Sequence, residues 1–139
     1  MRVAEAMTPA IATVDADATA AQAAAQMKAR GVGLLGVTRD GDLYGVVTDR
    51  DIILRAVAAG LDPRATRVRE LTSLSPRSCR RSASLEEAAN LMAEHGVRRL
   101  IARDEDGRPV GVLSLGDVAT HIQGSGVVGE VLAHICTER

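Results

Sequence analysis

Aromatic residues are almost absent from this chain of 139 residues, which has no tryptophan, no phenylalanine and only one tyrosine, Tyr44. Proteins that hold single-stranded nucleic acid by stacking its bases on aromatic side chains need more of them. Hydrophobic residues nevertheless make up 46% of the chain. A packed core is therefore expected, and it must be built mainly from Val, Leu, Ile, Met and Ala.

An excess of charge of one sign is also absent. The 17 basic and 18 acidic residues give a net charge of -1, which offers no argument for nucleic acid or an anionic membrane as partner. No run reaches the length of a membrane span, and the N-terminus lacks the apolar core of a signal peptide. We therefore expect a cytoplasmic protein, in which Cys79 and Cys136 are reduced thiols, although the sequence leaves open whether they form a disulfide.

The chain repeats itself, first at an offset of 65 residues and then, after one extra residue in the loop 104–107, at an offset of 66. The matching pairs include Val3/Val68, Glu5/Glu70, Thr13/Ser78, Thr19/Ser84, Met27/Met92, Gly31/Gly96, Gly45/Gly111, Thr48/Ser114 and Asp51/Asp117. The repeats predict domains over 1–60 and 68–123, joined by a linker over 61–67. The tail 124–139 has the apolar spacing of a short helix.

Each repeat has the pattern of a βαββα unit. In the first, we predict strands at 11–14, 32–37 and 43–47 and helices at 20–30 and 51–59; in the second, strands at 78–80, 97–102 and 110–113 and helices at 84–94 and 115–122. One such unit cannot bury both sides of its sheet. The predicted fold is therefore α+β, with two units packed face to face about a pseudo-twofold axis and two equivalent clefts between them.

A hydroxyl residue followed three positions later by aspartate occurs at the same point of both repeats. Thr48 and Asp51 follow an apolar strand and precede an apolar helix, as do Ser114 and Asp117. Each pair is typical of a capping box, in which the two residues satisfy backbone N–H groups at a helix start. A carboxylate can also accept hydrogen bonds from two neighbouring hydroxyl groups, and the recurrence favours a binding role beside the capping role.

These features resemble a tandem pair of cystathionine-β-synthase-type (CBS) domains, also called a Bateman module. The resemblance covers about 3–122 and depends on the segments 3–9, 31–33, 40–41 and 45–51 with their counterparts in the second repeat. The linker and tail are similar to those of small stand-alone actinobacterial pairs of the hypoxic or dormancy response. Gly36 and Ile101 depart from the family, which often has proline at their positions.

The resemblance implies a regulatory sensor that is not an enzyme, that binds AMP, ADP or ATP, with S-adenosylmethionine or NAD ranked lower, and that forms homodimers. No obligatory cofactor is implied. The implied contacts are Thr48 and Asp51 with ribose, Arg98 and Arg99 with phosphate and Thr13 near the base, with a weaker second site at Ser114 and Asp117. The resemblance also implies that the arginines of one repeat face the aspartate of the other. The second site is therefore expected to be weaker, because Gly33 and Leu34 stand where the arginines would be.

Other functions remain open from the sequence alone. The fold could serve as a scaffold that binds no nucleotide, or could bind an unidentified protein partner through the tail under redox control by Cys79 and Cys136. The residues outside the repeats leave no room for a catalytic domain. His121, His134 and Cys136 do not form a closed set of metal ligands, so we expect no metal site.

Overall fold

The computed structural model describes residues 1–74 and 76–121, which fall into two compact units. Of these described residues, the first unit contains those from 12 to 76, and the second contains 1–11 and 77–121. The tail helix predicted within 124–139, together with His134 and Cys136, lies outside the described residues. The domain boundaries at 60 and 68 refer to the sequence repeats and stay a prediction.

The first unit contains β2 (Thr13–Asp15), α2 (Ala20–Arg30), β3 (Leu34–Arg39), β4 (Asp42–Thr48), α3 (Asp49–Asp51), a π-helical segment (Ile52–Val57) and a 3-10 turn (Val68–Glu70). The second unit contains α1 (Val3–Ala6), β1 (Thr8–Pro9), β5 (Ser78–Arg80), α4 (Leu85–His95), β6 (Arg99–Arg103), β7 (Pro109–Ser114) and α5 (Leu115–His121). The mixed α+β fold class predicted from the repeats is confirmed. None of the helices in this described part is long and apolar enough to cross a membrane.

Both sheets have the same core topology. In the first unit the strand order is β2-β3-β4, with β2 parallel to β3 and β4 antiparallel to it. In the second unit the order is β1-β7-β6-β5, in which β5, β6 and β7 repeat that arrangement and β1 adds a strand beside β7. The end of the last long strand in each sheet leads directly into a helix, and this junction carries the hydroxyl-x-x-Asp pair.

The first helix of the first repeat has the predicted bounds, and its counterpart in the second repeat begins and ends one residue later than predicted, at Leu85 and His95. Thr19 accepts a hydrogen bond from the Gln22 backbone at the start of α2, and Gly31 ends that helix with a φ of 65°. Ser84 and Gly96 have the same roles around α4. Small residues on these helices let them approach the sheet closely, and each unit encloses its own aliphatic core.

The segment before each repeat's first long strand packs in the unit of the other repeat. Val3 is fully buried in the core of the second unit, and Val68 is fully buried in the core of the first. The residues that follow add to the edge of the last strand: Thr8 pairs with Val112 in β7, and Ser73 bridges Val46 in β4. The sequence repeat identified these positions as equivalent, but it did not predict this exchange.

The exchanged segments explain two matching glycines. A Cβ atom at Gly45 would lie 2.4 Å from the Ser73 carbonyl oxygen and 2.6 Å from Thr72 Cγ2. A Cβ atom at Gly111 would lie 2.6 Å from the Thr8 carbonyl oxygen. Both distances are far below van der Waals contact, so glycine is required where the added segment crosses the strand.

Several predicted boundaries require correction. Strands β3 and β6 begin two residues later than predicted, at Leu34 and Arg99. The second helix of the first repeat begins at Asp49 rather than at residue 51 and continues as a π-helix, in which the Ala58 N–H donates to the Ile53 carbonyl five residues back. Its counterpart in the second repeat, α5, is an ordinary α-helix. Hydrophobic spacing alone does not distinguish these hydrogen-bond patterns.

Candidate functional site

Thr48 and Asp51 form the predicted capping box at the end of β4. The Asp51 N–H donates to Thr48 Oγ1 at 3.1 Å, and the Thr48 N–H donates to Asp51 Oδ2 at 2.9 Å. The other carboxylate oxygen, Oδ1, lies 3.8 Å from Arg55 Nε one helical turn later. The Asp51 side chain is only 15% exposed, so its carboxylate is held in one position by the backbone and bordered by a cation.

Ser114 and Asp117 repeat the box at the end of β7. The Asp117 N–H donates to Ser114 Oγ at 3.0 Å, and the Ser114 N–H donates to Asp117 Oδ2 at 2.9 Å. His121 occupies the position equivalent to Arg55, but its Nδ1 lies 2.7 Å from the Asp117 backbone carbonyl oxygen rather than near the carboxylate. The second box therefore lacks the ion pair of the first, among the residues described.

The first turn of the helix in the first unit does not offer the free N–H groups that a phosphate would need. Asp49 N–H donates to the Gly33 carbonyl, Arg50 N–H donates to Asp49 Oδ1, and Asp51 N–H donates to Thr48. These three N–H groups are therefore already hydrogen-bonded within the first unit. In the second unit Leu115 N–H donates to the Arg98 carbonyl in the same way, whereas Gly116 replaces Arg50 and is preceded by Leu115, which has no carboxylate like that of Asp49.

The strand register places Thr13 on the same sheet face as Thr48. Thr13 lies opposite Gly36, and Leu34 on the same strand lies opposite Thr48. Side chains alternate along a strand, so Thr13, Leu34 and Thr48 share one face, and the core residues Val14 and Val47 lie on the other. Two strand spacings put the backbones at Thr13 and β4 about 10 Å apart, within reach of one ligand of nucleoside size.

The same register places Arg99 beside Ser114. Arg99 lies directly opposite Ser114 in the antiparallel pair, at the position that Leu34 occupies opposite Thr48. Ser78 is the counterpart of Thr13 and lies opposite Ile101. Arg99 is half-buried and Arg98 is exposed. The second unit thus has a cationic side chain on the face where the first unit has a leucine.

The two positions that often carry proline in the family have a defined role here. Gly36 N–H donates to the Ala12 carbonyl at 2.9 Å, and Ile101 N–H donates to the Arg77 carbonyl at 3.0 Å. Proline has no N–H group and would lose this hydrogen bond. The departure from the family therefore adds a bond at the start of each edge strand.

Arg55, which borders the Asp51 carboxylate, is not among the residues predicted for the site. The offset of 66 aligns Arg55 with His121, and a cation four residues after an aspartate on a helix is a recognisable pairing signal.

Cys79 is a buried free thiol beside Ser78, and burial raises the pKa of the Cys79 thiol from 9.0 to about 11. No group of three or more residues able to hold a metal ion occurs within the described ranges.

Two similar α+β units with matching capping boxes define a tandem-repeat module. The family model for the CBS domain matches residues 3–57 and again residues 68–124. The chain therefore belongs to the CBS-domain family and is a CBS pair, of the kind that forms regulatory modules. The resemblance found from the sequence segments is confirmed.

Two curated relatives match most of the chain. It is 40% identical to the CBS domain-containing protein YhcV of Bacillus subtilis, over 96% of this chain and 94% of that protein. It is 38% identical to Hypoxic response protein 1 of Mycobacterium tuberculosis, over 86% of this chain and 82% of that protein. The predicted likeness to hypoxic-response proteins is thus confirmed at the level of sequence similarity.

Two solved structures bear on ligands. Hypoxic Response Protein I, solved with two coordinated zinc ions, superposes with a TM-score of 0.74 at 34% identity, covering 88% of this chain and 99% of that one. CBSX2, solved in complex with AMP, superposes with a TM-score of 0.69 at 30% identity, covering 86% and 93%. The zinc and the AMP are properties of those proteins.

Proposed function

We propose that this chain is a sensor without catalytic activity that binds an adenosine-containing ligand, with AMP, ADP or ATP as the leading candidates and S-adenosylmethionine or NAD ranked below them. The observation that carries the proposal is the capping-box carboxylate of Asp51. Its Oδ2 is fixed by the backbone, while its Oδ1 lies 3.8 Å from Arg55 Nε. The AMP complex of the related CBSX2 supports the choice of ligand.

A fixed carboxylate is suited to ribose because it can accept from the hydroxyl groups without reorganising. Oδ1 of Asp51 retains lone pairs for this, and a charge-assisted hydrogen bond is about twice as strong as a neutral one. Thr48 Oγ1 accepts one bond from the backbone, and its hydroxyl hydrogen remains available to donate to the ligand. Thr13, on the same face, is the candidate contact to the base.

The phosphate requires a cation, because the helix start of the first unit has no free N–H group. We assign this role to Arg98 and Arg99, whose guanidinium groups match the geometry of phosphate oxygens. Ser114 and Asp117 form the candidate second site. In the arrangement that the family resemblance implies, each aspartate is completed by the other repeat, so Asp117 would be matched with Gly33 and Leu34 and not with Arg98 and Arg99. We expect that site to bind more weakly, because Gly33 and Leu34 provide no charge for a phosphate.

We also propose that the protein forms a homodimer. The second helix of the first repeat leaves large apolar side chains in solvent: Ile53 is 57% exposed and Val57 58% exposed. Leu54 and Leu61 extend this apolar surface. Sedimentation equilibrium measures the association directly, and a protein that stays monomeric at all concentrations would contradict the proposed homodimer.

The experiment is a comparison of Asp51→Asn with Asp49→Asn. Asparagine keeps a side-chain oxygen that can accept the capping bond from Thr48, but it removes the negative charge and replaces the second oxygen with an N–H donor. We expect Asp51→Asn to weaken AMP binding by about 10-fold to 100-fold, the range for a charge-assisted hydrogen bond. Thermal unfolding with each adenine ligand, followed by calorimetric titration, gives both stability and affinity.

Asp49 is the matched control, because it is exposed and lies in the same helical turn. Asp49→Asn removes the same charge at nearly the same place, so we expect at most a small change in affinity. Equal losses in the two variants would mean that only the local charge matters. An unchanged affinity for Asp51→Asn would overturn the assignment of Asp51.

A scaffold that binds no nucleotide is the second candidate function. It is favoured by the satisfied N–H groups of residues 49–51 and by the cation that already borders Asp51. A ligand that binds only the folded state, at 100 times its dissociation constant, adds about 2.7 kcal/mol to the free energy of unfolding. No shift in the unfolding temperature with any of the five ligands would favour the scaffold.

A further inference from the structure

A cluster of arginines lies where strands β5 and β6 end, and these arginines are not part of the candidate nucleotide site. Arg80 ends β5, Arg103 ends β6 and lies opposite it in the parallel register, and Arg81 follows in the connecting loop. A cavity of about 440 Å³ opens at this point, lined by all three arginines with Ser78 and Ser82. We call these three arginines and the cavity the basic corner.

Two of the three guanidinium groups have no partner among the residues that the structure describes. Arg103 Nη1 donates to the Gly107 carbonyl oxygen at 3.0 Å and holds the β6–β7 loop. Arg80 and Arg81 make no side-chain hydrogen bond or ion pair with any residue that the structure describes. The nearby Arg2 guanidinium adds a further positive charge, since it donates to the Ser82 carbonyl oxygen.

Two acidic residues also line the cavity, but they do not neutralise these arginines through ion pairs. Asp104 Oδ1 accepts from the backbone N–H groups of Asp106 and Arg108 and thereby shapes the hairpin loop. Glu105 is exposed at the tip of the loop. With Arg2, Arg80, Arg81 and Arg103 against these two carboxylates, the corner keeps a local excess of positive charge.

The first repeat serves as an internal control on what the fold requires. The residues equivalent to Arg80 and Arg81 are Asp15 and Ala16, and Asp15 ends the equivalent strand β2. The backbone contact is the same in both units: Arg67 Nη1 donates to the Asp17 carbonyl oxygen just as Arg2 donates to that of Ser82. The fold therefore forms this corner without arginines, so their presence in the second repeat needs another explanation.

We infer that the basic corner binds a small, multiply charged phosphate anion. Unpaired guanidinium groups are suited to phosphate because each presents several donors in a planar fork. Serine hydroxyls at the rim can add hydrogen bonds, and the cavity has the size of a small-molecule pocket. The anion could be a free oligophosphate or the phosphate chain of a nucleotide.

The corner is separate from the candidate nucleotide site. Ser114 lies opposite Arg99 at the start of β6, whereas the corner lies at Arg103 at its other end. Four residues of extended strand separate the two ends by about 13 Å. A ligand held at Asp117 and an anion held at Arg80 would therefore occupy opposite ends of the sheet.

The test titrates sodium tripolyphosphate into the full chain by calorimetry, at constant ionic strength because salt screens charged contacts. The variant Arg80→Asp with Arg81→Ala introduces the residues that the first repeat already accommodates. The control is Arg30→Asp with Arg64→Ala, which makes the same charge change at two exposed positions of the first unit. We expect the corner variant to lose about tenfold or more in affinity and the control to stay near wild type.

Further variants separate this site from the proposed nucleotide site. We expect Asp51→Asn to bind tripolyphosphate with wild-type affinity. This expectation holds even if the wild-type chain does not bind AMP. Loss of binding in Arg98→Ser with Arg99→Ser, and not in the corner variant, would overturn the inference, as would an equal loss in the charge control or no saturable binding to wild type. Titration of ATP into Asp51→Asn tests whether a nucleotide's phosphate chain is accepted as well as free tripolyphosphate.

An amide measurement on the wild-type chain keeps the test decisive if the corner variant does not fold. Tripolyphosphate should shift the backbone amide resonances of 80–82 and Gly107, which line the cavity. It should leave those of 15–17 in the first repeat unchanged. Shifts confined to residues outside the basic corner would overturn the assignment.

Discussion

The two repeats form the same capping box, but the side chains next to the box differ. Asp51 and Asp117 each accept a 2.9 Å hydrogen bond from the N-cap residue. Asp51 has an ion pair with Arg55, and Asp117 has none with any described residue, because His121 at the equivalent position turns to a backbone carbonyl. The repeated motif thus secures the helix start in both units, and the residues around it decide what the remaining carboxylate oxygen can bind.

Charge differs between the repeats in the same way. Arg99 stands opposite Ser114 where Leu34 stands opposite Thr48, and Arg80 ends β5 where Asp15 ends β2. The backbone register is the same at both places. The two repeats therefore carry different surface charges on the same backbone frame.

We expect the largest loss of stability at Gly45 and Gly111, the matching glycines that the exchanged segments cross in both repeats. Gly45→Ala should destabilise the protein by about 1–3 kcal/mol, the cost of overpacking a tight site, because its Cβ would meet the Ser73 backbone at 2.4 Å. Gly111→Ala should cost less, since one of its close neighbours is the flexible end of Met7. Urea unfolding of both variants gives the free energies.

Gly116→Ala is the control for these glycines. It lies in α5, and its nearest neighbour would be Ser114 Oγ at 3.6 Å, which is ordinary contact. Alanine is favoured over glycine in a helix, so this variant should be neutral or slightly more stable. A loss at Gly116 as large as that at Gly45 would contradict the steric explanation.

The second prediction uses Cys79, whose counterpart in the first repeat is Val14. Burial raises the pKa of the Cys79 thiol to about 11, so the unfolded chain releases this proton at lower pH than the folded chain. The stabilisation is fully present below pH 9 and is lost as the pH rises from 9 to 11. At pH 10.5 wild type should have lost about 2 kcal/mol relative to its value at pH 8 through this group.

Cys79→Val isolates that contribution, because it gives the second repeat the residue of the first. Other groups titrate equally in both proteins, so the difference between their urea-unfolding free energies should change by about 2 kcal/mol between pH 8 and pH 10.5. A difference that does not change with pH would show that the thiol is accessible to water in the native state.

The smallest effect is expected for the ion pair that distinguishes the two boxes. Arg55 is 51% exposed and its Nε lies 3.8 Å from Asp51, so Arg55→Ala should cost at most about 1 kcal/mol of stability. A double-mutant cycle with Asp51→Asn should give a coupling of about 0.3–0.5 kcal/mol. His121→Ala is the equivalent change in the second repeat, and it should show no coupling to Asp117→Asn.

Local features of the fold could be predicted from the sequence. Thr19 and Ser84 predict helix starts because their side chains accept hydrogen bonds from backbone N–H groups of the first turn. Gly31 predicts a helix end because the chain there needs a positive φ. The capping box at Thr48 and Asp51 was found in the same way. The repeat offsets then extended each assignment from one copy to the other.

The remaining features depend on contacts between distant segments. The repeat offset shows that Val3 and Val68 are equivalent, but it does not show that each packs in the unit of the opposite repeat. That packing joins distant parts of the chain: the neighbouring Arg2 bonds to Ser82, 80 residues away, and Arg67 bonds to Asp17, 50 residues away. The sequence likewise does not show that the Gly33 carbonyl and the Asp49 side chain accept the first N–H groups of the helix that begins at Asp49.

The most direct test of the central claim is an amide-resonance titration of the wild-type chain and of Asp51→Asn with AMP. We expect AMP to shift the resonances of 48–51 in wild type at the lowest concentrations, with those of 114–117 shifting later or not at all. In Asp51→Asn the first set should no longer respond at those concentrations. An identical response in the two proteins, or no response at 48–51 in wild type, would contradict the assignment of Asp51 as the ribose contact.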